Sequence, residues 1–178
     1  MILLTTSRRP TRRIRTFCKD LANSIPDTIK INRGKLNLDG VAEKSIEFNA
    51  DRVIIVNRWK GGPGKIEFFR VESSGLKRFP PTIYVKGVKL RREFKTGVKH
   101  VKALSIIVSS KGNDEIMKVA KSLSEFLNIP ITTIEEAAKQ QAAIHILPDE
   151  ENNIKITFVL LPKLVEVGPR IRVRHIIW

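Results

Sequence analysis

The same order of residue types runs through this chain twice, and that repeat limits the folds open to it more than any single motif does. Ile2-Leu3-Leu4-Thr5-Thr6 is matched by Ile106-Ile107-Val108-Ser109-Ser110 at an offset of 104, and Ile25-Pro26 by Ile129-Pro130 at the same offset. Farther along, Lys65-Ile66-Glu67-Phe68 aligns with Asn153-Ile154-Lys155-Ile156 at an offset of 88. Pro81-Thr82-Ile83-Tyr84-Val85-Lys86 aligns with Pro169-Arg170-Ile171-Arg172-Val173-Arg174, also at 88. The smaller offset means that the second copy has lost loop length between its two ends. A unit present twice implies two halves of similar fold.

The hydrophobic periods say what the unit is. A short apolar strand, Ile2 to Thr5, precedes a stripe of Ile14, Phe17, Cys18, Leu21, Ala22 and Ile25 at helical spacing, stopped by Pro26. The second copy repeats this with Ile106 to Val108, then Ile116, Val119, Ala120, Leu123, Phe126 and Leu127, ended by Pro130. A short second helix follows in each (about Asp39 to Glu47, and Ile134 to Gln140), then a strand (Arg52 to Asn57, and Ala142 to Leu147). The expected fold is α/β, with mixed sheets and internally duplicated β-α-β-α-β-β-β halves that share an interface. A basic seam covers Val88 to Lys102. The expected organisation is one domain over 1–178, built from an N-terminal half 1–87, a connector 88–102 and a C-terminal half 103–178. Pro169 is expected at the start of its strand, because proline cannot donate to an interior ladder.

Charge is unevenly shared between the copies. The chain carries 33 Lys+Arg against 18 Asp+Glu, a net +15, more than solubility asks for, and the excess points to a polyanionic partner. Residues 1–89 hold 19 basic and 8 acidic side chains, residues 90–178 hold 14 and 10, so the first copy carries the surplus. Arg8, Arg9, Arg12, Arg13 and Arg15 crowd the start of the first long helix, where the helix dipole disfavours cations, whereas the twin helix opens with Asn113, Asp114 and Glu115. A rule broken in one copy and kept in the other points to a functional demand on the first. Helix-start N–H groups and guanidinium forks together make an anion cradle, with Lys19 farther along the same helix. The competing reading is a solvated basic face paired with acids of the other half.

Two further basic groups stand out. Arg170, Arg172 and Arg174 alternate with Ile171, Val173 and His175, so an ideal strand sets three guanidiniums on one face about 6.6 Å apart. They could track a phosphate backbone or guard an edge strand against aggregation. Arg58, Trp59 and Lys60, followed by Gly61-Gly62-Pro63-Gly64-Lys65, form a basic hairpin loop whose Trp59 either stacks on a base or is simply buried.

Other chemistry is missing from the sequence. Gly64-Lys65 lacks the remaining residues of a phosphate loop, since Trp59 and Ile66 stand where a Gly and a Ser or Thr are needed. His100, His145 and His175 have no zinc-ligand spacing, and the acidic neighbours Glu135-Glu136 and Asp149-Glu150-Glu151 make no acid-base dyad, the latter group reading as a hairpin turn. Cys18, the one cysteine, lies on a helix's apolar stripe, excludes an internal disulfide and fits a reducing compartment. No cofactor or metal is expected. No apolar run approaches the roughly 18 residues of a membrane span and no secretory signal is recognisable, so the expected location is cytoplasmic, with no membrane partner.

Three segments together resemble the Brix-domain family. Thr5-Thr6-Ser7-Arg8-Arg9-Pro10-Thr11-Arg12 looks like its N-terminal signature, Phe79-Pro80-Pro81-Thr82-Ile83-Tyr84 like its mid-domain Gly-Pro-Thr segment, with Pro80 where the family usually has Gly, and Glu166-Val167-Gly168-Pro169-Arg170 like its C-terminal Gly-Pro-Arg signature. The resemblance implies a ribosome-biogenesis factor that binds rRNA or pre-rRNA, made of halves similar to the anticodon-binding domain of class II tRNA synthetases. It looks like a stand-alone archaeal form.

The expected function is thus non-catalytic RNA binding during ribosomal subunit assembly, by a chain monomeric when free, with ribosomal or other assembly proteins as further partners. The candidate contacts are Arg8, Arg9, Arg12, Arg13, Arg15, Lys19, Arg58, Lys60, Lys65, Arg170, Arg172 and Arg174. An RNA-processing enzyme and a scaffold docking an acidic protein on its basic face are the alternatives.

Overall fold

In the computed structural model, residues 1–109 and 113–178 are described. Ser110, the last residue of the first matched segment, lies outside them.

The first half runs β1 (Ile2–Thr6), α1 (Arg12–Ser24), β2 (Thr28–Lys30), α2 (Leu38–Glu47), β3 (Arg52–Trp59), β4 (Gly62–Glu72) and β5 (Gly75–Lys89). A 3₁₀ turn at Arg91–Phe94 leads to the second half: β6 (Ile106–Val108), α3 (Asp114–Leu127), β7 (Ile131–Thr132), α4 (Ile134–Ala137), β8 (Ala142–Pro148), β9 (Ile154–Leu160) and β10 (Val165–Ile177). The short helix of the second half is a single turn rather than the seven residues expected from its sequence.

The ten strands among the described residues belong to one sheet, in the order β2-β1-β3-β4-β5-β10-β9-β8-β6-β7. Read inward from either end, the two halves have the same strand order. They do not meet as two sheets across an interface. Instead β5 and β10 pair antiparallel at the centre, with Arg170 opposite Lys89, Ile171 opposite Val88 and Ile177 opposite Thr82.

The core follows from the stripes. Ile14, Phe17, Cys18 and Leu21 of α1 and Ile116, Val119, Leu123 and Phe126 of α3 are buried on one face of the sheet, in a single cluster with Ile54, Ile83, Ile156 and Ile171. Each such side chain taken from water contributes about 1.5–3 kcal/mol. Burial pushes the Cys18 thiol up to about 12, as befits a core residue rather than a nucleophile. The other face is covered at its ends, by α2 over Leu3, Val53 and Phe69 and by the α4 turn over Ile107, Ala143 and Val159. The long helix of the second half also grips the first: Phe126 meets Phe68 edge to face at 5.0 Å, and its carbonyl accepts from Arg52 Nη1 at 2.6 Å.

Two sequence expectations need correction. β10 lies in the middle of the sheet, so its charges guard no edge. Pro169 lies inside β10, not at its start, where the ladder to β9 slips between Glu166 and Arg170. The irregularity frees the proline from donating, which is how a central strand accommodates one. Pro81 stands at the matching slip of β5 against β4, between the pairs Ile66–Ile83 and Phe68–Phe79, and both prolines follow cis peptide bonds.

Candidate nucleic-acid interface

The loop from β1 to α1 and the hairpin joining β3 to β4 are fastened into one surface by small polar side chains. Thr11 caps α1, its Oγ1 accepting from Ile14 N at 3.4 Å and donating to the Gly61 carbonyl at 2.7 Å. Ser7 Oγ accepts from Arg58 N at 3.0 Å, and Arg58 Nη1 donates to the Arg9 carbonyl at 3.2 Å. The Ser and Thr of the Thr5–Arg12 segment are therefore fasteners, and its arginines are left for other work.

Arg8, Arg9, Arg12 and Arg15 are exposed, and α1 has no acid in its first turn. Among the described residues no carboxylate lies within ion-pair distance of these four, nor of Lys19, Arg58, Lys60 or Arg174. Arg15 Nη1 donates to the Pro10 carbonyl at 2.9 Å, which turns it back over the loop. Beneath them Arg33, 8% exposed, donates to the carbonyls of Thr6 at 2.9 Å and Leu36 at 2.7 Å. Burial, with the Arg8 charge added, holds its guanidinium below the usual arginine range. In α3, by contrast, Asn113 caps the helix and Asp114 and Glu115 occupy its first turn, as the dipole favours.

The hairpin turns at Lys60 and Gly61, both at positive φ (46° and 82°), as the tight two-residue hairpin turn requires. Trp59, at its start, is 57% exposed rather than buried. Lys65 reaches Glu67 at 3.4 Å, and Glu67, nearly buried, also accepts from Asn57 at 2.8 Å and pairs with Arg78 at 3.1 Å. Arg174 lines the groove beside this hairpin together with Arg58 and Lys65.

Other predicted positions are engaged elsewhere. Arg13 turns toward the seam, where Nη2 donates to the Val88 carbonyl at 2.8 Å and to Glu93 at 3.2 Å. The Leu90 N–H and Arg13 together hold the Glu93 carboxyl below its ordinary range. Arg170 binds Glu166, Nε to Oε1 at 2.9 Å, and Arg172 binds Asp149 at 3.2 Å. The ladder is also uneven, since the β5–β10 register shifts on either side of Val173. Lys19 lies away from the loop, in a groove of about 550 Å3 with Arg92, Lys95, Lys99 and His100.

Sequence reasoning missed Arg33, Arg91 and this connector groove. The basic run of Val88 to Lys102 was visible, but it reads only as a seam until the chain is folded against α1. Among the described residues no cluster of His, Cys, Asp and Glu could hold a metal ion, and no helix is long and apolar enough to cross a membrane.

No family model matches the chain. It is 36% identical over 106 residues to a probable Brix domain-containing ribosomal biogenesis protein of Aeropyrum pernix, covering 60% of this chain and 59% of that one. A protein of the same description from Pyrococcus horikoshii is 40% identical over 95 residues (52% and 41%), and one from Methanopyrus kandleri 35% over 131 residues (71% and 66%). The chain thus spans about half the length of the curated relatives it first matches. A crystal structure of a probable ribosomal biogenesis protein from Aeropyrum pernix superposes with a TM-score of 0.79 at 28% identity, over 97% of this chain and 94% of that one. Mil, an archaeal Imp4-like protein, shares the fold with a TM-score of 0.70 at 24% identity, over 98% and 97%.

Proposed function

Since the chain belongs to the Brix-domain family of ribosomal biogenesis proteins, we propose that it is a non-catalytic factor that holds rRNA or pre-rRNA during subunit assembly. The observation that carries this reading is the row of acid-free arginines, Arg8, Arg9 and Arg12, at the start of α1, bolted through Ser7 and Thr11 to the basic hairpin. Phosphate oxygens complete such a surface, because the helix-start N–H groups and the guanidinium forks favour the same ligand. Arg58, Lys60, Lys65 and Arg174 extend it, and Lys19 begins a second basic patch along the connector. Arg13, Arg170 and Arg172 are engaged by protein partners instead.

The architecture belongs to the same proposal. Matching strand orders and matching proline positions support a duplicated unit, 1–87 and 103–178 joined by the connector 88–102, each half resembling the anticodon-binding domain of class II tRNA synthetases. The chain acts as a monomer in the cytoplasm, with ribosomal or assembly proteins as secondary partners.

The test is RNA binding across a salt series. Replacing Arg8, Arg9 and Arg12 by Gln should weaken binding of single-stranded pre-rRNA fragments and lower the slope of log K against log salt by about 2, at roughly 0.7 per phosphate contact. Gln at Lys118 and Lys121 on α3 should change the slope far less. Equal slopes in both variants would remove the α1 surface from the reading. Incubation of RNA with the protein and Mg2+ should return the RNA intact. Defined products that disappear on replacing one carboxylate would make the protein an RNA-processing enzyme instead.

A further inference from the structure

We infer that the groove between the Trp59 hairpin and the paired rings of Tyr84 and His175 is a site for an unpaired nucleobase. The inference rests on the RNA-binding reading and narrows it to single-stranded RNA at this place.

Trp59 is a large apolar side chain left in water at the end of a strand whose residues Val53 to Val56 are buried. Its exposure is built in. The positive-φ turn at Lys60 and Gly61 fixes the hairpin tip, the Thr11 hydroxyl ties that tip to the start of α1, and Gly64 packs directly on the indole's root. A Cβ at Gly64 would lie 2.1 Å from the Trp59 Cβ, so only glycine lets this side chain stand where it does.

The same groove is lined by a second aromatic surface. Tyr84 on β5 and His175 on β10 are register partners, and their rings lie 4.2 Å apart and nearly parallel, at 11°. The β5–β10 seam thus contributes a stacked pair to the groove. The groove encloses about 430 Å3, within the roughly 300–1,000 Å3 of sites for small organic ligands. Its cations are Arg58 and Arg174, which have no acid partner among the described residues, and Lys65. Flat aromatic faces with cations beside them take a base and its phosphate with little regard to sequence, since every base has a π-face. A paired base in an A-form helix cannot present its face, so the ligand is a nucleotide splayed from a single strand or loop. Through the Arg58–Arg9 hydrogen bond the groove joins the arginine surface of α1, so a strand crossing those phosphate contacts would deliver a base to it.

The experiment uses the full chain carrying Trp178→Phe, which leaves Trp59 as the sole tryptophan, with ten-nucleotide oligouridine and oligoadenosine and a hairpin RNA duplex as probes. Single-stranded probes should quench Trp59 emission, and Trp59→Leu should weaken their binding roughly tenfold to a hundredfold. Duplex affinity should change by less than about twofold. Tyr84→Leu should give a smaller loss in the same direction, with circular dichroism checking that the sheet persists. Single-strand binding that Trp59→Leu leaves unchanged, or a loss equal for single strand and duplex, would overturn the base site while the phosphate-binding surface stands. A chain that binds none of the probes overturns both, and the arginine variants, then without effect, identify that outcome.

Discussion

Arg91 binds the carbonyl of Gly168 twice, through Nε at 3.2 Å and Nη2 at 2.9 Å, from 77 residues away in sequence. The same guanidinium reaches the Lys99 carbonyl at 2.7 Å and the Ser24 hydroxyl, and the Arg91 N–H donates to Asp20 at 3.0 Å. One buried side chain, 5% exposed, therefore joins α1, the connector and β10. Burial holds its guanidinium below the usual arginine range, with the Asp20 charge acting against that.

Arg91→Ala should cost about 2–4 kcal/mol, because three acceptors lose a charged donor inside the protein. At this chain length that lowers the melting temperature by roughly 4–16 °C. Arg91→Lys keeps the charge but not the fork, and should recover only part of the loss. Urea unfolding of the three proteins settles the point, and a loss under about 0.5 kcal/mol for the alanine variant refutes it.

Gly168 should tolerate no side chain. It sits at φ 71°, and a Cβ there would lie 2.4 Å from the Phe94 ring, itself held between the cations of Lys89 (4.5 Å) and Arg170 (5.3 Å). Gly168→Ala should cost about 2–3 kcal/mol, the sum of backbone strain and overpacking. In a Phe94→Leu background the same substitution should cost measurably less, and a cycle that closes additively would show that the ring is not the obstacle.

The Glu166–Arg170 pair should give the fold part of its acid sensitivity. Burial works to raise the Glu166 carboxyl, but the bond from Arg170, with Thr157 and the charges of Arg170 and Lys155 added, together outweighs it, so the group titrates below its ordinary range. A depressed folded value means that the stabilisation is complete above the unfolded glutamate value, about 4.3, and is lost as pH falls through the folded one. Glu166→Gln should therefore cost about 1–2 kcal/mol near pH 7. The gap to wild type should close on acidification below about pH 4. A gap independent of pH would mean that the carboxylate charge contributes nothing.

Gly64 and Gly62 make a matched pair of tests in one hairpin. Alanine at Gly64 must displace Trp59 and should cost about 1–3 kcal/mol, whereas a Cβ at Gly62 meets nothing within 4 Å and should be nearly neutral. Thermal unfolding with Trp59 emission as the probe distinguishes them. Equal behaviour would show that the indole is not propped by the glycine.

Much of this was legible in sequence because local periodicity carries it. The stripe from Ile14 to Leu21 sets α1's buried face, and the missing acids at its start mark the asymmetry with α3 in the residue types alone. Long-range partners were not legible. Nothing in the run Leu90-Arg91-Arg92 says which arginine is buried, because the deciding acceptors sit on Gly168, Lys99 and Ser24. Arg12 and Arg13 look alike in sequence, yet consecutive helical positions point about 100° apart, and only Arg13 finds Glu93. Pro169 was misplaced for a related reason, since a slipped ladder against β9 cannot be read from β10 alone.

The placement of β10 bears on how the chain comes off the ribosome. Of the described strands it is made after the other nine, yet its seat is the centre of the sheet, so until it is made the flank of β5 from Thr82 to Lys89 stands open with its backbone groups unmatched. Nascent first halves could pair through that flank with one another, and Lys86 and Lys89 on it repel their counterparts on a neighbouring chain. The positive charge of this strand thus has a use before the fold is complete.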